Sequence, residues 1–142
     1  MKYFIFPPNA RMVLKNFNFQ AFNDIIAFMT AIELNTVSQL VVDDIKPYDP
    51  EKIYVFGSYA RGQAKEHSDL DVLVIKDTPH DRFRRVREVF DLLYPSARLG
   101  QGYYNVAIDP LILTPSEVTD RLNIGDFFVR RILNEGKLIY ER

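Results

Sequence analysis

Hydrophobic residues recur along this chain with two spacings, one typical of helices and the other of strands. Between residues 19 and 33, apolar side chains return every three or four positions, which predicts one helix. The members of this helical pattern are Phe19, Phe22, Ile25, Ile26 and Met29. The next run, residues 36–45, can extend that helix or form a short strand, because so short an apolar segment has no decisive period.

Compact runs of β-branched and aromatic residues predict the strands of a sheet. They cover residues 52–56, 69–75, 103–113 and 137–140. Pro110 interrupts the third run, and proline cannot donate a backbone hydrogen bond. We therefore expect the third strand to lie at an edge of the sheet or to contain a bulge.

An amphipathic helix is predicted between the second and third strands. Its apolar stripe is predicted to consist of Phe83, Val86, Phe90 and Leu93. A basic cluster occupies other positions of the same helix, namely Arg82, Arg84, Arg85 and Arg87. Because acidic residues are interspersed among these arginines, we interpret them as an ordinary solvated face rather than as a surface for RNA or an acidic partner.

Local capping signals predict shorter helices. Ser58 is placed to cap a helical turn over residues 59–61. Thr114 is followed by Pro115 and, three residues after the threonine, by Glu117, which is the pattern of a capped helix start.

A last helix is predicted over residues 126–134, directly before the final strand. Strands and helices therefore alternate, which indicates an α/β (α+β) fold with a small mixed β-sheet packed by helices. We divide the chain into a mainly helical N-terminal arm, residues 1–50, packed on the same domain, and a core, residues 51–142.

Composition excludes several classes of chemistry. The 142 residues include no cysteine and two histidines, so disulfides, zinc centres and cysteine nucleophiles are not expected. The 18 Lys and Arg and 19 Asp and Glu residues leave a net charge of −1, which argues against general nucleic-acid binding. No signal peptide or membrane-spanning run is recognisable, so we expect a cytoplasmic protein without a membrane partner.

The residues that indicate chemistry lie between the first two strands. Gly57 and Ser58 follow the first strand, and their backbone N–H groups and hydroxyl could bind an anion. Asp69 and Asp71 are two positions apart on a predicted strand, so both side chains point to the same face. Two carboxylates so close favour a divalent cation with oxygen ligands, such as Mg²⁺ or Mn²⁺.

This arrangement resembles the minimal nucleotidyltransferases of the DNA polymerase beta superfamily. Their signature is Gly-Ser, ten residues, then Asp-x-Asp, and here ten residues separate Ser58 from Asp69. The segments around Asp109 and over residues 127–140 also look like this family, so the resemblance covers residues 52–142. It implies a polymerase-beta-like fold and a third metal carboxylate at Asp109. An Asp-Pro pair is also a common turn, which is the alternative interpretation of Asp109.

The resemblance further implies roles for the site residues. Asp69, Asp71 and Asp109 would be catalytic and would hold two Mg²⁺ ions, with Mn²⁺ as a substitute, and Asp109 would be the general base. The nucleotide-binding residues would be Gly57, Ser58 and Arg61. Arg61 could instead form a salt bridge with Glu66 or with an aspartate of the site.

The expected reaction is transfer of a nucleoside monophosphate, AMP from ATP or the equivalent from another nucleoside triphosphate, onto an acceptor hydroxyl. In the family that this chain resembles, the acceptor is often a tyrosine of a HEPN-type toxin, the partner in a toxin–antitoxin pair. Two alternatives remain open, a catalytically silent antitoxin-like binding module and a small-molecule transferase similar to the aminoglycoside nucleotidyltransferases. A homodimer is compatible with the sequence.

Overall fold

The N-terminal part of the described chain is one long helix. A computed structural model describes residues 18–65, 67–95, 104 and 106–142. Helix α1 spans Phe19–Ile45, and the Asn18 side chain accepts hydrogen bonds from the backbone N–H groups of residues 20 and 21. The helix predicted over residues 19–33 is therefore confirmed, and the ambiguous run up to residue 45 is helical. Residues 1–17 of the predicted arm lie outside the described residues, and the division at residue 50 stays a prediction.

Four strands form one mixed sheet in the order β3-β2-β1-β4. Their bounds are Lys52–Phe56 for β1, Leu70–Ile75 for β2, Ile108–Leu113 for β3 and Lys137–Glu141 for β4. Strand β1 is antiparallel to β2 and to β4, whereas β2 and β3 are parallel. The predicted mixed sheet is confirmed, and Pro110 lies on an edge strand as expected, because an edge tolerates a missing donor.

The other helices connect the strands. They are α2 at Gly57–Ala60, α3 at Arg82–Leu93, α4 at Pro115–Asn123 and α5 at Phe127–Glu135. The capping box predicted at the start of α4 is present, since the Thr114 hydroxyl accepts from the Glu117 N–H and the Glu117 carboxylate accepts from the Thr114 N–H. The Asp126 side chain caps α5 in a similar way. The predicted capping signal at Thr114 thus correctly gave the start of α4, and α5 begins at Phe127, one residue after its predicted start.

Both faces of the sheet are covered. On one face, Val72 and Val74 of β2 pack in a cluster with the C-terminal half of α1 and with α3. On the other face, Leu73 and Ile75 pack with α4 and α5. Asp71 shares this second face by the two-residue period of the strand, and it is the one residue of β2 that is not buried. An acidic side chain is therefore held at the end of an otherwise apolar strand.

The predicted apolar stripe of α3 is largely wrong. Phe83 is 88% exposed and Phe90 47% exposed, and the residues that α3 buries are Arg85, Val89 and Leu93. Of the four residues in the predicted stripe, only Leu93 is buried. Burial of Arg85 also contradicts the interpretation of all four arginines as a solvated face. The physical reason is a tertiary ion pair, because Arg85 donates from Nη1 and Nη2 to Glu117 at 2.6 and 2.8 Å.

Two smaller predictions also need correction. Ser58 does not cap a helix, because α2 begins at Gly57 and its N-cap residue is Phe56, which makes no side-chain capping bond. Strand β3 begins at Ile108 rather than at residue 103, and residues 103 and 105 lie outside the described residues. Within the described chain, no helix combines the length and the apolar character needed to cross a bilayer.

Candidate active site

Two of the predicted carboxylates lie side by side. The parallel register of β2 and β3 places Asp71 opposite Asp109, and in-register neighbours point to the same face of a sheet. Asp71 is half-buried and Asp109 is exposed. Burial raises the pKa of the Asp71 carboxyl, the charges of Asp109 and Asp69 raise it further, and Arg61 opposes them. Burial and the neighbouring negative charges therefore outweigh the effect of Arg61 on the Asp71 carboxyl.

The glycine of the motif lies directly against one of these carboxylates. Gly57 has φ +70°, a conformation that side chains disfavour, and a Cβ at this position would overlap Oδ2 of Asp71 and lie 3.1 Å from its Cγ. Glycine is thus required here for two reasons, the backbone angle and the close approach. The backbone of the turn after β1 can consequently contribute to the same site as Asp71.

These groups open into a cavity of about 500 Å³. The predicted site residues that line it are Gly57, Arg61, Asp71 and Asp109. The other side of the cavity is formed by residues of helix α5, and Arg82 at the start of α3 also lines it. Cavities of this size are typical of sites for small organic ligands.

Ser58 and Asp69 lie beside the cavity rather than in its lining. Ser58 is half-buried within α2, and its carbonyl oxygen accepts from the N–H of Gln63 at 2.8 Å. Asp69 is exposed directly before β2 and is close enough to raise the pKa of Asp71. Their functional roles stay predictions.

Arg61 is exposed at the mouth of the site. Its Nε donates to Oε1 of Gln63 at 3.3 Å, and its charge favours the ionised form of Asp71. Of the two salt bridges considered from the sequence, the one with Glu66 lies outside the described residues. Arg61 and Asp71 belong to one lining, and the phosphate-binding role of this guanidinium stays a prediction.

The carboxylates fit a divalent cation by their chemistry. Among the described residues, no three acidic or histidine side chains are already grouped as a metal site, so the predicted set of three ligands stays a prediction. The adjacent pair of Asp71 and Asp109 provides hard oxygen donors, and its mutual repulsion would be relieved by a bound cation. Asp69, two residues before Asp71, is the nearest further carboxylate in the sequence.

Sequence reasoning missed several residues of the cavity. Arg82, Phe128 and Arg131 line it together with the predicted site residues. The sequence did not indicate a site role for these residues. Arginines on amphipathic helices are usually solvated, and Phe128 was explained by the apolar face of a helix. Their convergence depends on how α3 and α5 pack around the sheet.

Comparison with known proteins now identifies the family. Residues 41–142 match the family described as "Polymerase beta, Nucleotidyltransferase". The chain belongs to this family. The predicted resemblance and the predicted enzyme class, a nucleotidyltransferase, are thereby confirmed.

Two curated relatives come from Methanocaldococcus jannaschii, and both are provisionally named protein adenylyltransferases. One is 35% identical over 91 residues, which cover 63% of this chain and 58% of the relative. The other is 32% identical over 90 residues, which cover 63% of this chain and 78% of the relative. The match to the first relative thus spans less than two thirds of that protein.

Solved structures support the fold. A provisionally named nucleotidyltransferase from Sulfolobus solfataricus aligns with a TM-score of 0.55 and 21% identity, covering 82% of this chain and 87% of that chain. A toxin–antitoxin structure with AMP-PNP aligns with a TM-score of 0.50 and 18% identity, covering 74% of this chain and 73% of that chain. The predicted nucleotidyltransferase fold is therefore confirmed.

Proposed function

We propose that this protein transfers AMP from ATP to a hydroxyl group of a partner protein in the cytoplasm, with a tyrosine of a HEPN-type toxin as the acceptor. The observation that carries the proposal is the in-register pair of Asp71 and Asp109 beside the Gly57 backbone, in one cavity. This is a geometry suited to charged phosphate chemistry in a chain of the nucleotidyltransferase family.

Asp69, Asp71 and Asp109 would hold two Mg²⁺ ions, or Mn²⁺ in their place. When bound, such ions neutralise phosphate charge and lower the pKa of a coordinated hydroxyl. Carboxylate oxygens suit such ions, which would also bind water and phosphate oxygens. The site residues therefore suit a cation that is shared with the substrate.

The chain's own groups have further roles in the proposed reaction. The acceptor oxygen attacks the α-phosphorus, the bond from that phosphorus to the bridging oxygen breaks, and pyrophosphate leaves. Asp109 accepts the proton of the acceptor hydroxyl, for which its exposed position at the edge strand gives access. The N–H groups at Gly57 and Ser58 and the Arg61 guanidinium bind the β- and γ-phosphates.

The choice of a protein acceptor draws on the relatives. Two of them bear the name of protein adenylyltransferases, and a neighbour of the same fold is part of a toxin–antitoxin structure. We extend that chemistry to this chain as a proposal.

The test is transfer from ATP labelled separately at the α- and γ-phosphates. The purified protein would be incubated with Mg²⁺ and with the product of the adjacent gene, and the intact mass of every species would be measured. We expect one AMP to be added to the partner, with the α-label retained and pyrophosphate released.

A matched control uses Asp71→Asn, which removes a central carboxylate. Transfer that continues at the wild-type rate in this variant would contradict the assignment of the site. ATP binding without transfer to any protein would instead favour a small-molecule acceptor, and absence of both would favour a silent binding module.

A further inference from the structure

The cavity has a second wall that the proposed reaction does not use. Helix α5 contributes Phe128, Arg131, Ile132 and Glu135 to the lining, whereas the carboxylates come from β2 and β3. A nucleotide has a part that is not phosphate, and it must lie somewhere beside the triphosphate. The α5 wall provides a surface of different chemistry in the same cavity.

Phe128 has an aromatic surface available to a ligand. The residue is 51% exposed although it belongs to a cavity lining. It contacts Phe56 edge-to-face, with ring centroids 5.8 Å apart and planes at 84°. Such a contact covers at most one of the two faces of the Phe128 ring, so the ring is supported at one side and still able to stack at the other.

The support of Phe128 comes from the end of the strand that leads to the phosphate-binding turn. Phe56 is the last residue of β1 and directly precedes Gly57. The backbone of Phe128 is also fixed, because its N–H donates to the Asp126 carboxylate at 2.8 Å. The aromatic ring is therefore positioned relative to the turn through a direct contact.

Arg131 lies three residues after Phe128, on the same side of α5, and lines the same cavity. Its Nε donates to Oε2 of Glu135 at 2.9 Å, which orients the guanidinium from the next turn of the helix. A guanidinium carries five N–H donors and no acceptor. It is thus suited to acceptor atoms on the edge of a base, such as N7 of a purine.

We propose that Phe128 and Arg131 form the nucleobase subsite of this enzyme and bind a purine, Phe128 by stacking on the ring and Arg131 by donating to acceptor atoms at its edge. The inference rests on the proposed function, because it takes the ligand of the cavity to be a nucleoside triphosphate. Both residues are specificity-determining groups that leave the phosphate chemistry to the opposite wall.

The neighbours of these residues provide matched controls. Phe127 is 73% exposed and does not line the cavity, and the exposed Arg130 lies outside the lining in the same way. Phe128→Ala can thus be compared with Phe127→Ala, and Arg131→Gln with Arg130→Gln. Phe128→Tyr keeps the aromatic ring and is the rescue variant.

The experiment measures binding of two probes by calorimetry in the presence of Mg²⁺. One is α,β-methylene-ATP, in which a carbon bridge blocks the bond that transfer would break, and the other is inorganic tripolyphosphate, which has no base. We expect Phe128→Ala to weaken binding of the nucleotide about tenfold and to leave tripolyphosphate binding unchanged. Arg131→Gln should weaken binding of the nucleotide but not of tripolyphosphate. The variants expected to bind both probes like the wild type are Phe127→Ala, Arg130→Gln and Phe128→Tyr.

Four results would overturn the inference. Equal nucleotide affinity of Phe128→Ala and Phe127→Ala would show that the ring does not stack on the base, while transfer activity could still support the proposed function. Equal losses for both probes in Arg131→Gln would make that residue a phosphate ligand instead. A wild-type protein that binds tripolyphosphate as tightly as the nucleotide would have no base subsite, and one that binds neither probe would contradict the proposed function as well.

Discussion

Two pairs of charged residues in this small domain have opposite electrostatic environments. Arg85 and Glu117 form a bidentate ion pair between α3 and α4, and the guanidinium holds the pKa of the Glu117 carboxyl down at about 2. Asp71 and Asp109 lie side by side on two parallel strands with like charge, and the pKa of Asp71 is raised by burial and by its acidic neighbours. One pair stabilises the fold, whereas the other costs stability.

The difference separates structural charges from those that await a ligand. A carboxylate whose pKa is lowered by a protein partner has already found its counter-charge. A carboxylate whose pKa is raised at the lining of a cavity gains stabilisation when a cation arrives, and raised values of this kind are enriched at functional sites. The two pairs therefore predict opposite responses to mutation.

The largest expected effect is on catalysis. Asp71→Asn removes one of the two adjacent carboxylates, so we expect the rate of AMP transfer to fall roughly a hundredfold to a thousandfold. The same variant should unfold at a higher temperature than the wild type at neutral pH, because a repulsion between like charges is relieved. Activity assays and thermal unfolding measure the two effects, and a variant that loses both activity and stability would contradict this account.

The corresponding change in the other pair should damage the fold. Glu117→Ala leaves the guanidinium of Arg85, a residue 4% exposed, without its carboxylate and also removes the capping bond from the Thr114 N–H. Together these losses should lower the free energy of unfolding by about 3 kcal/mol. The matched control is Glu141→Ala, since Glu141 pairs with Lys52 at 2.8 Å on the exposed surface. That solvent-exposed pair should contribute little to stability. Denaturant unfolding of both variants tests the comparison, and equal losses would argue against a structural role specific to Arg85 and Glu117.

A glycine substitution tests how closely the site is packed. Gly57→Ala should lower the unfolding free energy by about 1–3 kcal/mol through its positive φ and should displace the Asp71 carboxylate. Gly62 also has positive φ, +66°, but nothing lies within 4 Å of the position of its Cβ. Gly62→Ala therefore reports backbone strain alone. Nucleotide affinity should fall in Gly57→Ala and not in Gly62→Ala, and equal affinity in the two variants would contradict the close approach to Asp71.

The smallest expected effect is a difference in pH dependence. The lowered pKa of Glu117 contributes stability that is present above its ordinary value of 4.5 and is lost as the pH falls towards 2. The contribution of Asp71 to stability changes with pH in the opposite direction. Its raised carboxyl pKa favours the folded state at pH values below 3.8, and this advantage is lost as the pH rises through the folded-state pKa. When unfolding is measured between pH 2 and 7, the free energy of unfolding should fall less steeply towards acid pH in Glu117→Gln than in the wild type.

Local chemistry in the sequence was sufficient for much of the fold and for the centre of the site. The helix start at Thr114 was predictable because its capping partners lie within three residues. The spacing from Gly57 to Asp71 likewise indicated the carboxylate side of the cavity. The orientation of α3 was not predictable, since burial of Arg85 depends on Glu117, 32 residues away in the sequence. The α5 wall was missed for the same kind of reason, because Phe128 and Arg131 reach the cavity only through tertiary packing.

The most direct test of the site is the effect of Mg²⁺ on thermal unfolding of the wild type and Asp71→Asn at neutral pH. Asp91→Asn serves as the control, because that carboxylate is exposed on α3 and does not line the cavity. We predict that increasing Mg²⁺ raises the unfolding temperature of the wild type and of Asp91→Asn, and has little effect on Asp71→Asn. An equal rise in all three proteins would contradict the claim that the adjacent carboxylates of Asp71 and Asp109 bind a divalent cation.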